Sequence, residues 1–410
     1  MKDLPKDYLE NMRKLLGEEY GEFLQCYESE PYRGLRFNEK KVRPETIEKL
    51  VREWNLEKIP WAPFGYYYSE AERPGLSPYH DAGVYYIQEP SAMSVCELAG
   101  IQESDTVLDL CAAPGGKSTR AAELSGVLLS NEIISKRAKI LSSNIERMGY
   151  DNVIVTSASP AELSSCFPET FDVVICDAPC SGEGMMRRDE IAVSEWSPEN
   201  AALCVERQRE ILSEAVKMVK PGGKLLYSTC TFEPSENEEQ ARLLTETYHG
   251  FRILTERRFW PHREKGEGHY VCVFEREGGI EKEPDTISPD RRIRQMERRL
   301  SSANLHILRT GLPEGEILTD KKKQKLYIPS HAEIKASSFE EAENGVNLTF
   351  EEDALRYLRG EELRISEEKM ICKGKDGFQG IYFDGYPLGV GKRNGNTIKN
   401  HLPKGLRRKV

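Results

Sequence analysis

The chain has 410 residues, 31% of them charged and 38% hydrophobic, and a formal net charge of −10. That length leaves room for two or three domains, and the composition is that of a globular protein with a polar surface. No apolar run approaches the ~18 residues of a membrane-spanning helix, and MKDLPKDYLENMRK lacks the apolar core of a secretory leader, so a cytoplasmic protein with no membrane attachment is expected.

In chain order, Tyr8, Met12, Leu15 and Leu16 recur at helical spacing, followed by an extended GLRFNE. Pro44-Glu45-Thr46 opens a helix that runs through Trp54. Residues 61–90 are crowded with aromatics, Pro and Gly, the pattern of a loop-rich subdomain whose Tyr, His and Arg side chains can also stack on unpaired bases. From Ser91 a helix leads into a regular alternation. Strands are expected at Thr106–Leu110, Val127–Glu132, Val153–Thr156, around Val173, at Lys224–Thr229 and at Tyr270–Glu275. Helices fall between them at Lys117–Leu124, Lys136–Met148, Pro198–Val219 and Ser235–Tyr248. Lys220-Pro221-Gly222-Gly223 reads as the stop of the long helix. This alternation predicts a doubly wound, mostly parallel α/β sheet. A polar linker follows at about 275–290, then a mixed region containing KKKQKLYI (321–328). From about 350 a Gly-rich stretch, GFQGIYFDGYPLGV, predicts a small β-rich module. The expected domains are therefore 1–90, 91–279, 280–349 and 350–410.

The ten cysteines include no CxxC pair and the seven histidines do not gather near them, so no metal site is expected. The net charge argues against a nucleic-acid partner only until its distribution is considered. The last twenty residues hold seven Lys or Arg and no acid, and local basic surface governs phosphate contact.

Two strand ends concentrate chemistry. VLDLCAAPGGKST (107–119) is a strand, a small-residue turn and a helix start, where Cys111, Ala112, Ala113, Pro114, Gly115, Gly116 and Lys117 let a ligand approach the backbone. A phosphate loop would need glycine where Cys111 stands, and a dinucleotide fingerprint is not matched. S-adenosyl-L-methionine fits best, with Glu132 closing the second strand to hold ribose hydroxyls. Asp109 is assigned to stabilising the turn, and Lys117 to the methionine carboxylate or the first helical turn.

The second centre is FDVVICDAPCSGEG (171–184), where a buried strand delivers Asp177 and Cys180 to a tight loop; Cys230 closes the neighbouring strand, LLYSTC. Two thiols and a carboxyl group suit methylation of cytosine C5. That carbon attacks a methyl donor only after a thiolate has added to C6, with a carboxyl group at N3 stabilising the adduct. The amino-group methyltransferases have an aromatic residue where Cys180 stands. From the residues alone, either thiol could be the one that adds.

CAAPGGK (111–117), DAPCSGEGMMRRD (177–189) and STCTFEPSENE (228–238) resemble the Sun/Fmu-type RNA cytosine-5 methyltransferases. RGLRFNEKK (33–41) and AGVYYIQEPSAM (82–93) are similar to that family's N-terminal RNA-binding subdomain. YPLGVGKRNGNTIKNHLPKGLR resembles the PUA-like tail of the RsmF/YebU-type small-subunit rRNA enzymes. The resemblance implies a Rossmann-like S-adenosylmethionine-dependent domain between an N-terminal α+β RNA-binding subdomain and a C-terminal PUA-like region. It also implies Cys230 as nucleophile, Cys180 assisting product release, cofactor contacts at Cys111–Lys117, Glu132 and Asp177, and a monomer acting on 16S rRNA or the 30S subunit. Many members carry an acid after the third strand; VTSASP offers only Ser157 and Ser159, which leaves the adenine contact open. The rivals are a tRNA cytosine-5 enzyme, an N-methyltransferase, a P-loop NTPase and a non-catalytic RNA-binding ribosome-assembly factor.

Overall fold

The computed structural model describes residues 4–279, 287–319 and 325–409. Helices Lys6–Leu16 and Tyr20–Gln25 bury Tyr8, Met12 and Phe23 against Met186, Trp196, Phe232 and Trp260. Phe232 stacks on Trp260 with ring centroids 4.9 Å apart, and Phe23 meets Phe232 edge-on at 5.4 Å. The helical spacing read from the sequence thus serves to clamp the loop just after Cys230.

Strands β1 (Gly34–Phe37), β2 (Glu57–Lys58), β3 (Gly65–Tyr67) and β4 (Tyr85–Ile87) form an antiparallel sheet in the order β2-β3-β1-β4. The helix Pro44–Glu53 starts with its proline in the first turn and stops at Trp54. Arg36, on β1, is buried and reaches into the next domain: it pairs with Glu123 at 2.6 Å and donates to Thr119 Oγ1 at 2.8 Å.

The central sheet contains β5 (Thr106–Asp109), β6 (Val127–Asn131), β7 (Val153–Ser157), β8 (Phe171–Asp177), β9 (Val219–Thr229), β10 (Phe251–Phe259), β11 (His269–Arg276) and β12 (His306–Thr310). Among the described residues the order is β10-β11-β9-β8-β5-β6-β7-β12. β5 to β9 run parallel, as runs of Val, Leu and Ile buried on both faces require. The strand order reverses between β5 and β8, the place where open α/β sheets put a ligand. Both chemical motifs stand at that switch point.

Three features depart from the sequence reading. Lys220-Pro221-Gly222-Gly223 lies inside β9, with Gly222 at φ +74° and a register shift against β8; the long helix ends at Met218 and the strand begins at once. β10, whose FRILTERRF has no clean alternation, forms an antiparallel edge with Ile253 and Leu254 exposed. Beyond residue 279 the sheet continues. Helix Pro289–Ser302 lays Ile293, Met296 and Leu300 on the core and β12 pairs with β7. Of the linker read from the sequence, residues 280–286 lie outside the described residues.

β13 (Glu316–Thr319) and β14 (Lys325–Ile328) make a hairpin; the lysines at 321–323 lie outside the described residues. β15 (Gly345–Leu348), β16 (Leu363–Arg364), β17 (Met370–Lys373), β18 (Gly377–Phe383), β19 (Tyr386–Asn394) and β20 (Thr397–Asn400) form a sheet in the order β16-β20-β19-β18-β15-β17. Its apolar face merges with the N-terminal sheet: Leu35, Phe37 and Tyr85 share one core with Val346, Tyr357 and Ile381. Among the described residues no helix is long and apolar enough to cross a membrane.

The basic tail divides in two. Arg393 is paired with Asp376 at 2.8 Å, Arg407 donates to the Leu402 carbonyl at 3.1 Å, and Arg408 binds Asp81 and the Ser77 carbonyl. These arginines fasten the module. Lys392, Lys399, Lys404 and Lys409 remain exposed.

Candidate active site

The turn after β5 is shaped by its glycines. Gly115 caps the helix Gly116–Leu124 at φ +117°, a conformation side chains rarely adopt, and a Cβ on Gly116 would meet Gln88 Nε2 at 3.0 Å. Asp109 accepts from Ser118 Oγ at 2.6 Å, beneath the turn, and its Oδ1 is buried without a partner. Burial, opposed by the Ser118 bond, pushes its carboxyl up to about 7. Glu132 is buried at the end of β6, accepting from the Ile134 N–H at 2.9 Å; Arg137 stands 3.4 Å from it and donates to the Ala113 carbonyl at 2.9 Å. The exposed side chains of Ile133 and Ile134 follow immediately.

Beside this turn, the Lys117 ammonium is 2.7 Å from Asp177 Oδ2, and Ser228 donates to Asp177 Oδ1 at 2.8 Å. Burial would raise the Asp177 pKa, but Lys117, with the Ser228 bond, holds it below the usual carboxylate range. Asp177 is therefore an ionised acceptor. Lys117 is committed to that carboxylate, a role the sequence did not suggest.

The two cysteines meet. Cys180 Sγ is 3.3 Å from Cys230 Sγ, and the Cys230 N–H reaches Cys180 Sγ at 3.4 Å. The hydrogen bond to Cys230, followed by burial, pushes the Cys180 thiol well up, so Cys180 keeps its proton. A buried carboxylate that the sequence reading missed fixes the pair: Glu236 accepts from Ser181 N at 2.9 Å, from Ser181 Oγ and from Gln208 Nε2 at 2.8 Å. Gly184 sits where a Cβ would lie 2.8 Å from the Gly268 carbonyl and 2.9 Å from that of Cys230. A turn at Pro234–Glu236 can be anticipated from Pro234-Ser235, but not what the buried Glu236 carboxylate binds. Ser159 caps the next helix, Pro160–Cys166, and its hydroxyl donates to the Glu162 carboxylate there at 2.7 Å.

The fold and this site define a Rossmann-like methyltransferase with an added RNA-binding-type module. Family models match at 4–90 (N-terminal domain of 16S rRNA methyltransferase RsmF), 97–275 (16S rRNA methyltransferase RsmB/F) and 349–408 (methyltransferase RsmF PUA domain). Ribosomal RNA small subunit methyltransferase F of Aliivibrio salmonicida is 30% identical over 94% of this chain and 93% of its own length; that of Pectobacterium carotovorum is 37% identical over 58% and 52%. The chain belongs to the ribosomal RNA small subunit methyltransferase F family. Among solved structures, a methyltransferase homologue from Pyrococcus horikoshii superposes with TM-score 0.59 at 24% identity, covering 67% of this chain and 96% of that one. NSun6 from the same organism gives 0.59 at 19%, covering 67% and 99%. Both share the fold.

Proposed function

We propose that this protein methylates C5 of cytosine in small-subunit ribosomal RNA, with S-adenosyl-L-methionine as methyl donor and Cys230 as nucleophile. The observation that carries the reading is the pair of thiols 3.3 Å apart on the rim that also holds Asp177 and Lys117.

The residues around the turn fit the cofactor. Asp109, Glu132 and Asp177 make it acidic, and Asp109 Oδ1 is an unused buried acceptor, which suits a ligand bearing ammonium and sulfonium charges and repels a nucleotide phosphate. Ile133 and Ile134 offer exposed apolar surface for its flat ring beside Glu132, and Glu132 is at hand for its hydroxyls. When bound, S-adenosylmethionine supplies an electrophilic methyl group.

The chain's own groups do the rest. The Cys230 thiolate adds to cytosine C6. The negative charge spreading to N3 and O2 is met by the Lys117–Asp177 pair. Because Asp177 is ionised, the proton available there is the ammonium's, shared within the pair, and not one carried by the carboxyl group alone. C5, now nucleophilic, takes the methyl group. A base then removes the C5 proton, the C6–sulfur bond breaks and Cys230 leaves as thiolate, with Cys180, held protonated beside it, assisting release. Asn237, Thr229 and Tyr227 brace the turn: Thr229 donates to Asn237 Oδ1 and Tyr227 to the Glu236 carbonyl.

The test is incubation with S-adenosylmethionine and total RNA from a strain lacking the protein, then separation of small-subunit rRNA from tRNA and digestion of each to nucleosides. 5-Methylcytidine is expected; N4-methylcytidine, or methylation of tRNA alone, contradicts the proposal.

A further inference from the structure

His269 opens β11 at the reaction centre and has no part in the scheme above. Its side chain is 3% exposed, its Nε2 is buried without a hydrogen-bond partner, and that atom lies 3.9 Å from Asp177 Oδ1. The segment leading to it is tightly fixed. Gly268 has φ +114°, and a Cβ there would lie 2.3 Å from the Phe232 ring; its carbonyl abuts Gly184, which also touches the Cys230 carbonyl. On the other side Tyr270 pairs with Thr229, next to Cys230. The backbone on both sides of His269 is thus packed against the cysteine turn.

The groups facing this pair come from three elements: Lys117 on the helix Gly116–Leu124, Ser228 on β9, and Asp109 on β5 behind them. Burial first and Lys117 second push His269 down to about 3, against the pull of Asp177, so the ring is neutral at working pH and carries one N–H. With Nε2 facing a carboxylate oxygen in a buried site, the tautomer with its proton on Nε2 is favoured, because the alternative turns a lone pair toward negative charge.

We propose that His269 is a positioning residue, whose Nε2–H takes over Asp177 Oδ1 when the carboxylate turns from Ser228 toward the pyrimidine. The gap to be closed is about 1 Å, from the observed 3.9 Å to an ordinary hydrogen bond of about 2.9 Å. The proposal rests on the reading of Asp177 as a reaction-centre group. A core histidine that merely fills space is the competing account.

Two replacements separate the accounts. His269→Gln keeps an N–H near the Nε2 position; His269→Phe keeps a ring and removes the donor. Single-turnover methyl transfer is followed from acid to neutral pH, with the RNA KM measured and S-adenosylmethionine binding by calorimetry serving as the check on folding. The Phe variant should lose about tenfold to a hundredfold in rate, the range of one charge-assisted hydrogen bond, with KM nearly unchanged. Its acid limb should move to higher pH, because losing a donor makes Asp177 easier to protonate. The Gln variant should stay close to the parent in both respects. A Phe variant as fast as the parent, or Phe and Gln variants equally slow with unmoved limbs, overturns the proposal. Cys230→Ala run alongside keeps the two claims apart: an active Cys230→Ala refutes the cysteine mechanism, whereas a dead Cys230→Ala with a fully active His269→Phe refutes only the role of His269.

Discussion

Replacing Glu236 with alanine should unseat the Cys180 loop, and its cost can be worked out from the site. The carboxylate accepts three hydrogen bonds: from Ser181 N, Gln208 Nε2 and Ser181 Oγ. Ser181 Oγ has a second partner, Thr231 Oγ1 at 2.8 Å, and Gln208 Nε2 also reaches the Pro179 carbonyl at 3.0 Å. The alanine variant therefore strands the Ser181 N–H fully and the Gln208 amide in part. At about 1–3 kcal/mol for each unsatisfied buried group, the loss spans about 2–6 kcal/mol. Burial raises the Glu236 pKa, so removing the charge recovers part of that cost, and the lower half of the range, about 2–4 kcal/mol, is expected. Glu236→Gln should lose under about 1 kcal/mol, because its amide oxygen can take both N–H groups while its NH2 donates to Ser181 Oγ, which turns to Thr231. Urea unfolding gives the stabilities. Methyl transfer by the alanine variant should fall about a hundredfold, the scale of a 1 Å misplacement of reacting groups. An alanine variant as stable as the parent, or a glutamine variant as damaged as alanine, would refute the reasoning.

Cys180→Ala should trap protein on RNA as a complex that survives denaturing gels, because the departing Cys230 sulfur loses the thiol that hydrogen-bonds to it; trapping by Cys230→Ala instead would reverse the two roles. Lys392, Lys399 and Lys404 changed together to Gln should lower the slope of log RNA affinity against log salt by about 2, at roughly 0.7 for each single-strand phosphate contact, with S-adenosylmethionine binding unaltered; an unmoved slope excludes them as RNA contacts. Arg36→Met breaks a buried pair, and because Arg120 and Tyr150 still hold Glu123 the loss should sit at the low end of about 3–5 kcal/mol in urea unfolding. Burial holds His80, His269 and His331 near 3, so each favours the folded state as pH rises from about 3 to 6.5. Burial also raises Asp109, Glu183 and Glu267 to about 7, and each of these disfavours the folded state as pH rises from about 4 to 7. The two sets cancel between about pH 4.5 and 6.5, and below about 4 the histidines are joined by carboxylates held low in the fold, Asp177 and Glu19 among them; urea midpoints should be flat and then fall steeply, and a steady decline through pH 6 would contradict the assignment.

Much of this was legible in the sequence where local chemistry decides the outcome. The alternation of short β-branched runs with helices sufficed for β5 to β9, and the position of two cysteines just past strand ends sufficed to bring them together. What was missed depends on partners far along the chain. Lys220-Pro221-Gly222-Gly223 has the composition of a stop, yet pairing with β8 carries the strand through it. Helix Pro289–Ser302 has a proper Ser288-Pro289 start, hidden because the flanking residues read as linker. Glu236 and His269 look like surface residues until the folded chain supplies Ser181, Gln208 and Asp177. The tail arginines are basic in sequence, but only the structure shows that Asp81, Asp376 and the Leu402 carbonyl already occupy them.

The most direct test uses rRNA carrying 5-fluorocytidine at the target position. Methyl transfer to C5 leaves fluorine where the departing proton should be, so the C6–sulfur bond cannot be released by loss of a proton from C5. Digestion of the trapped complex and mass spectrometry should find one RNA-linked peptide, containing Cys230, formed only when S-adenosylmethionine is present. A link at Cys180, or the absence of any covalent complex from RNA that the protein methylates normally, would contradict the account.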